Sequence, residues 1–396
     1  MPRGPAKQLS RRELLRGSLL ASGALLTGFE RIHFEALGQN RAADRFRGGK
    51  MMGTVEFTEE VRVPMGKAFG DELDGRMYTD LSKVTQENAV TSTDEFYIRT
   101  RASHLLDRQK PWSVQVGGLV EAPYAIGMTD FAKLAKPMGV HLMECAGNTR
   151  QIHFGMMSVA EWTGVPVAQV FAGTKLKPDA TRVLISGFDR YATQSVNSIP
   201  GASWIFTLEE LKAAGAFLAT EMNGHALTPD HGAPVRLVVP GWYGCACIKW
   251  VDEITFVDES ADATSQMQEY ASRTMQSGVP HLAKDFQPAT VDHAAMPIRV
   301  EEWSVAGKMI YRVAGVLWGG SQPVNALEIR FNPEEDYVPV DSFRQNPKDS
   351  WSLWTHAWTP KERGKYLIRL RVKEPRVVAR RLDSGYYLRA VDIEDI

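Results

Sequence analysis

The sequence predicts an α+β fold that is mostly β and is divided into two domains. The chain has 396 residues, and at ~100–200 residues per domain two domains are the reasonable prior. Apolar content of 44% and charged content of 23% are those of an ordinary globular protein. From Thr93 onward, runs that alternate apolar and polar residues recur between turn signals, as half-buried strands do. The net charge of −1 indicates neither nucleic acid nor an acidic lipid surface as a partner, so any anion site must be local.

Residues 1–45 are predicted to be an export signal and linker. Several basic residues precede the run 17–29, which is apolar but too short and too rich in glycine to span a membrane comfortably. Residues 10–16 (SRRELLR) match the twin-arginine export signal. The alternative is a basic amphipathic N-terminal helix, which the glycines at 17, 23 and 28 disfavour. We therefore expect a periplasmic protein, exported by the twin-arginine route.

The first predicted elements after the leader end at a cysteine. Residues 95–101 and 112–120 alternate as strands do, and residues 129–134 form a short helix that ends before Pro137. Residues 140–145 are then a strand that runs into a glycine turn. This arrangement places Cys145 at a loop edge, where functional sites are often built.

The turn at 141–150 (HLMECAGNTR) combines a thiol, a glycine and a cation. A lone cysteine is more often a small buried hydrophobic residue than a ligand. Here Gly147 and Asn148 let the backbone approach a ligand closely, and Arg150 offers a planar fork of donors suited to an oxyanion. Because a thiolate is a soft metal donor and a nearby guanidinium lowers its pKa, Cys145 is a candidate metal ligand.

The middle of the chain supplies further cations beside glycines. Residues 181–187 are a predicted strand, residues 208–218 a helical segment, and residues 222–224 a turn. In the stretch 230–250, an apolar strand is framed by glycine turns and by Arg236 and Lys249. These cations are either exposed at strand ends, which is the common case, or placed to hold a phosphate.

The C-terminal part, from about residue 286, predicts an immunoglobulin-like β-sandwich. Its strands are expected at 309–318, 326–331, 351–358 and 366–372, separated by turns. In the last strand, apolar residues occupy one face and basic residues the other. The tryptophans at 351, 354 and 358 are expected to fill the core and an interface.

Several motifs keep the order and spacing of one known family. They are ECAGN at 144–148 with Arg150, EWTGVP at 161–166, MNG at 222–224, DHG at 230–232, PVR at 234–236, VPG at 239–241 and KW at 249–250. On these motifs, residues 90–375 resemble the sulfite oxidase family of molybdopterin enzymes. The resemblance implies a sulfite-oxidase-type molybdopterin-binding domain at 46–285, followed by an immunoglobulin-like dimerisation domain at 286–396.

The resemblance also implies roles for individual residues. A molybdenum–molybdopterin cofactor (Moco) is expected, with the metal held by the pterin dithiolene and Cys145. Arg99 and Arg150 would face the substrate oxyanion, with Trp162 and Tyr270 at the same site. The residues that would bind the pterin and its phosphate are Asn148, His231, Arg236 and Lys249.

The implied reaction is oxygen-atom transfer to a sulfur oxyanion such as sulfite. The arginines would orient the anion and offset its charge, and the cofactor would carry the electron chemistry. No Cys-x-x-Cys-His haem motif occurs in the chain, so the expected acceptor is an external one, such as a c-type cytochrome. A homodimer through the C-terminal domain is expected.

Other functions remain open at this stage. The molybdenum alternatives are a sulfane dehydrogenase-like enzyme and an S-oxide-reducing enzyme. A metal-free alternative is a thiol enzyme that uses Cys145 with His141 or His153 as base. The last alternative is an exported binding module.

Three features depart from the family pattern. Arg101 occupies the position where the family usually has histidine. Cys245 and Cys247 replace residues that are commonly polar or basic; on a strand they would share a face, and we expect buried thiols because a bridge between them would be strained. The family's terminal substrate-facing arginine segment has no clear match after Arg371.

Overall fold

The computed structural model describes residues 45–58, 63–190, 201–344 and 350–396. All but the last residue of the predicted leader at 1–45, including its twin-arginine pattern, lies outside the described residues. The described chain is mostly β with short helices, which confirms the predicted fold class. Its helices all fall short of the length and apolar character that a membrane crossing needs.

The secondary structure is numbered here in chain order. The strands are β1 Lys50–Val55, β2 Arg76–Met77, β3 Ile98–Arg99, β4 Ser113–Gly118, β5 Tyr124–Gly127, β6 Lys136–Glu144, β7 Met157–Pro166, β8 Arg182–Gly187, β9 Ser203–Thr207, β10 Phe217–Met222, β11 His225–Ala226, β12 Arg236–Val238, β13 Val251–Val257, β14 Ala294–Val305, β15 Lys308–Trp318, β16 Leu327–Arg330, β17 Val338–Pro339, β18 Ser342–Arg344, β19 Ser352–Trp358, β20 Gly364–Val372 and β21 Arg389–Ile393. The helices are α1 Met128–Leu134, α2 Val167–Val170, α3 Leu208–Ala214, α4 Ser265–Tyr270 and α5 Arg380–Asp383.

Two sheets and a short ribbon form the first half of the fold. One sheet has the order β5-β4-β13-β8-β9, in which β13 runs parallel to β4. The other has the order β11-β10-β7-β6, with β12 also paired to β10. Strand β6 pairs antiparallel with β7 up to Glu144. The cysteine turn therefore begins where this second sheet ends.

Two further sheets form the C-terminal β-sandwich. Their orders are β1-β14-β15-β19-β18 and β17-β16-β20-β21, and they contact each other through β14 and β20. Strand β1 comes from the beginning of the described chain, where Lys50 pairs with Ser304. Residues from both ends of the described chain therefore build this sandwich.

The sandwich core is the one that the alternation pattern predicts. Trp351, Trp354 and Trp358 are buried, and Tyr366 and Ile368 on β20 point into the same core. One continuous cluster of buried apolar side chains joins this sandwich to the first half of the fold. The two halves are thus packed together rather than separated by a linker.

The structure corrects three local predictions. The predicted strand at 95–101 is extended only over β3, because Thr100 takes a φ of +65° and its hydroxyl donates to Leu73 O at 2.7 Å. The predicted helix at 208–218 is wrong beyond Ala214, since Gly215 ends α3 and β10 begins at Phe217. Cys245 lies in a 3-10 turn, Gly244–Ala246, and not on a strand.

Candidate active site

Cys145 is the first residue after β6 and lies in a closed, buried turn. Its backbone N–H donates to Met156 O at 2.9 Å, and its carbonyl accepts from Asn148 N at 2.9 Å. The side chain is only 5% exposed. Burial raises the pKa of the Cys145 thiol, and the neighbouring Arg99 guanidinium opposes that rise.

One wall of the turn faces a cavity of about 120 Å³, called here the inner cavity. It collects most of the residues that the sequence analysis singled out, although they lie far apart in the chain. Its lining includes Arg99, Cys145, His231, Arg236, Lys249 and Tyr270.

Arg236 is a buried cation with one hydrogen-bond donor that has no partner. Its Nη1 donates to His231 O at 3.0 Å and its Nη2 to Cys247 O at 3.3 Å, while Nε is buried without a hydrogen-bond partner. Among the described residues, no carboxylate forms an ion pair with it. Burial lowers the pKa of Arg236. Because a buried, unpaired charge is costly, this guanidinium is suited to an anionic ligand.

Lys249 and His231 complete the polar wall of the inner cavity. The ammonium of Lys249 donates to three backbone carbonyls, Asp230 O at 3.1 Å among them, and burial lowers its pKa to about 7. Both ring nitrogens of His231 have partners, Thr228 Oγ1 at 2.7 Å and Phe96 O at 3.2 Å. Burial lowers the pKa of His231 to about 4, so its ring is neutral at pH 7.

A second cavity of about 480 Å³, called here the outer cavity, opens on the other side of the turn. Arg99 lines both cavities, so it stands between them. Arg76 lies directly opposite Arg99 on the β2–β3 ribbon. Burial, followed by the charge of Arg99, lowers the pKa of Arg76. Like charges directly opposite on a ribbon destabilise it, and a bound anion would offset that repulsion.

Arg381 brings a further guanidinium into the outer cavity from the C-terminal half. Its Nη2 donates to Ala146 O at 3.1 Å and to Arg273 O at 2.7 Å, and its Nη1 is buried without a hydrogen-bond partner. The side chain of Arg273 lines the same cavity and is exposed. The outer cavity therefore presents four guanidinium groups beside the Cys145 turn.

Three predicted site residues lie outside both cavities. Trp162 is fully buried. It packs against Arg236, whose guanidinium carbon lies 5.5 Å from the Trp162 ring centroid. Asn148 braces the turn, since its Oδ1 accepts from Met156 N at 3.1 Å. Arg150 is exposed, and its Nη2 donates to Tyr386 O at 3.2 Å. A direct role for these residues toward ligand or substrate stays a prediction.

Sequence analysis missed Arg76, Arg273 and Arg381. No local pattern marks them, because each becomes part of the site only through tertiary contacts, and Arg381 lies 235 positions from Ala146. The sequence has no clear match after Arg371 to the family's terminal arginine segment. In the structure, Arg381 supplies a guanidinium from that part of the chain.

The geometry bears on the thiol alternatives as well. Neither His141 nor His153 lines either cavity, so neither is placed as a base for Cys145. Cys245 and Cys247 are buried free thiols, as expected, and they line the inner cavity. Across the described ranges, no group of three or more histidine, cysteine or acidic side chains is arranged to hold a metal by itself. A metal bound at Cys145 would therefore need ligands from a cofactor.

Comparisons with known proteins agree with this geometry. Residues 102–265 match the family model of the oxidoreductase molybdopterin binding domain. The chain is 27% identical over 304 residues to nitrate reductase [NADPH] of Beauveria bassiana, an alignment that covers 67% of this chain and 33% of that protein. It is 27% identical over 279 residues to mitochondrial sulfite oxidase of Macaca fascicularis, covering 62% of this chain and 47% of that one.

A solved structure shares the fold over most of this chain. The sulfane dehydrogenase SoxCD from Paracoccus pantotrophus superposes with a TM-score of 0.63 at 17% identity, over 86% of this chain and 96% of that one. The chain spans about a third to a half of the length of the curated relatives above. Residues 102–265 are therefore an oxidoreductase molybdopterin binding domain with molybdopterin as its cofactor, in a chain that is similar to sulfite oxidases.

Proposed function

We propose that this oxidoreductase transfers an oxygen atom to a sulfur oxyanion such as sulfite at a molybdenum bound by Cys145. The observation that carries the proposal is the group of arginines in the outer cavity, beside the cysteine turn. Arginine is suited to oxyanions because its planar fork of donors pairs with two oxygens at once. A substrate without negative charge would leave these guanidinium groups uncompensated.

The residues of the inner cavity fit the pterin cofactor. The Nε of buried Arg236 has no hydrogen-bond partner, and the ammonium of Lys249 donates its hydrogen bonds to backbone carbonyls. They would hold the phosphate end, with the neutral His231 ring beside it, and Cys145 would hold the metal. When bound, the molybdenum centre supplies oxygen-atom transfer and electron storage.

The chain itself binds and orients the substrate. Arg99, Arg273 and Arg381 line the outer cavity beside the turn, so an anion bound there would lie among guanidinium groups that offset its charge. Burial raises the pKa of Tyr270 far above its ordinary value, so its hydroxyl stays protonated and can donate to an anion. The Arg273 guanidinium carbon lies 5.2 Å from the Tyr270 ring centroid.

Electrons leave to an external acceptor in this proposal, and a c-type cytochrome is the acceptor we favour. The alternative with the same site is sulfane dehydrogenase-like activity, which the fold shared with the Paracoccus protein supports only at the level of fold. Both alternatives use the outer cavity, and they differ in the sulfur compound that enters it.

Steady-state turnover of the purified, molybdenum-loaded full chain tests the proposal. We expect saturable oxidation of sulfite with cytochrome c or ferricyanide as acceptor, and loss of that activity in Cys145→Ser. Thiosulfate, and nitrate with a reduced dye, serve as comparison substrates. Absence of sulfite turnover at full molybdenum loading would reject the substrate, and faster turnover of a comparison substrate would replace it.

The leader supports a second part of the proposal, export to the periplasm. Its SRRELLR pattern is what the twin-arginine route recognises. Replacement of Arg11 and Arg12 by lysine should leave the protein in the cytoplasm, as measured by fractionation and immunoblotting. Normal export of the double variant would show that another route is used.

A further inference from the structure

Glu144, the residue before Cys145, is a fully buried carboxyl group. Its two oxygens are held by neutral donors. Oε2 accepts from Trp318 Nε1 at 2.8 Å, and Oε1 accepts from Asn148 Nδ2 at 3.3 Å and Tyr387 OH at 3.5 Å. Glu144 lines neither of the two cavities, so it contacts neither cofactor nor substrate there.

Two of the three donors on Glu144 connect the cysteine turn to the C-terminal half. Trp318 ends β15, and Tyr387 precedes β21. Two more groups from that half hold the following carbonyls of the turn: Arg381 Nη2 donates to Ala146 O at 3.1 Å, and Tyr386 OH donates to Asn148 O at 2.6 Å. Positions 144, 146 and 148 are thus each held from the C-terminal half, and Cys145 stands between the first two.

Stability alone does not account for a carboxyl group at this position. Burying one is costly even though the charge of Arg381 offsets part of the cost, and a well-packed apolar side chain of similar size avoids that cost. What a carboxyl group adds is direction, because each oxygen accepts from a donor of fixed position, and three donors together leave the turn one orientation. Residues behind a metal ligand orient it in the same manner.

We propose that Glu144 is a positioning residue, which fixes the turn so that the Cys145 thiol faces the inner cavity and makes this geometry depend on the C-terminal sandwich. The inference rests on the proposed function in one respect only, the binding of molybdenum by Cys145. It does not depend on which sulfur compound is the substrate.

Molybdenum retention in the full-length loaded enzyme tests this role. Glu144→Gln keeps the size of the side chain but turns an NH₂ group toward groups that are themselves donors. We expect about 10–100-fold weaker retention of molybdenum against a competing chelator, as is typical when a group behind a metal ligand is changed. The thiolate-to-molybdenum absorption band should shift as well, because the sulfur no longer meets the metal in the same orientation.

Glu301→Gln is the matched control. Glu301 is 2% exposed and also accepts from an indole, Trp303 Nε1 at 2.9 Å, but it lies in the sandwich away from both cavities. This control should lower the melting temperature without changing retention or absorption. Tyr386→Phe is a second variant. It removes the hydroxyl that donates to Asn148 O in the turn, and it should also weaken the retention of molybdenum.

The outcomes separate positioning from general stability. Retention and absorption like those of wild type in a folded Glu144→Gln protein would overturn the proposal, as would equal losses in Glu144→Gln and Glu301→Gln. If Glu144→Gln does not fold, unchanged retention in Tyr386→Phe would overturn it instead. A wild type that retains molybdenum but does not oxidise sulfite would contradict the proposed substrate and leave these comparisons valid.

Discussion

Single side chains supply the anion chemistry of this molecule. Arg236 in the inner cavity and Arg381 in the outer cavity each keep one buried nitrogen without a hydrogen-bond partner. Such atoms are costly in an empty cavity and become favourable when an anion accepts from them. The same two residues show how a site can be assembled around buried guanidinium groups that keep a donor available.

Arg381→Lys should raise the KM for the anionic substrate. Lysine keeps the charge but loses the fork that reaches both Ala146 O and the cavity. A tenfold rise in KM, about 1.4 kcal/mol, is the expected scale in steady-state assays. Arg150→Gln is the comparison, because the Arg150 guanidinium is exposed and donates to backbone carbonyls. A larger rise in Arg150→Gln than in Arg381→Lys would contradict the placement of Arg381.

Lys249 gives the cofactor-free protein a stability that depends on pH. Burial lowers its folded pKa to about 7 from an ordinary value of 10.5, so between these values the unfolded chain binds more protons than the native one. The free energy of unfolding should therefore rise with pH in this window, by about 1 kcal/mol per pH unit. Urea unfolding at pH 7.5 and 8.5 measures it. A slope that persists unchanged in Lys249→Met would exclude Lys249 as the cause.

The secondary-structure elements show where the local sequence is sufficient to predict a strand or a helix. Strand β20 was predictable because buried apolar residues alternate with more exposed ones along it. Strand β10 was not, because Phe217, Leu218 and Ala219 are buried on every side between β7 and β12 and therefore do not alternate. The capping box of α3, Thr207 with Glu210, was a usable signal for its start.

The end of α3 depends on Gly215. This residue has a φ of +65°, and a Cβ added to it would meet nothing within 4 Å. Gly215→Ala should therefore cost only backbone strain, about 1 kcal/mol or roughly 2 °C in melting temperature. Gly215→Asn should cost less, because asparagine tolerates the left-handed region better. Equal melting temperatures for wild type and both variants would contradict this account of the helix end.

The molecule as a whole explains why only part of the site was predictable. Cys145, Arg99, His231, Arg236 and Lys249 sit in local motifs, and the structure gathers them around one cavity. The outer cavity draws instead on Arg76, Arg273 and Arg381 from distant parts of the chain, which meet only after both halves have folded together. Local sequence patterns carry no information about such tertiary contacts.

A role of the C-terminal sandwich in pairing two chains is a further proposal at this scale. Each of its two sheets has two edge strands, β1 and β18 in one sheet and β17 and β21 in the other. Light scattering of the purified protein should give twice the mass of one chain. The mass of a single chain at micromolar concentration would contradict the proposed dimer.

X-ray absorption at the molybdenum edge tests most directly whether the Cys145 sulfur binds the metal. Wild-type protein and Cys145→Ser, both loaded with cofactor, are to be compared under the same conditions. We expect one sulfur neighbour fewer around molybdenum in Cys145→Ser than in the wild type. The same number of sulfur neighbours in both proteins would contradict the assignment of Cys145 as the metal ligand.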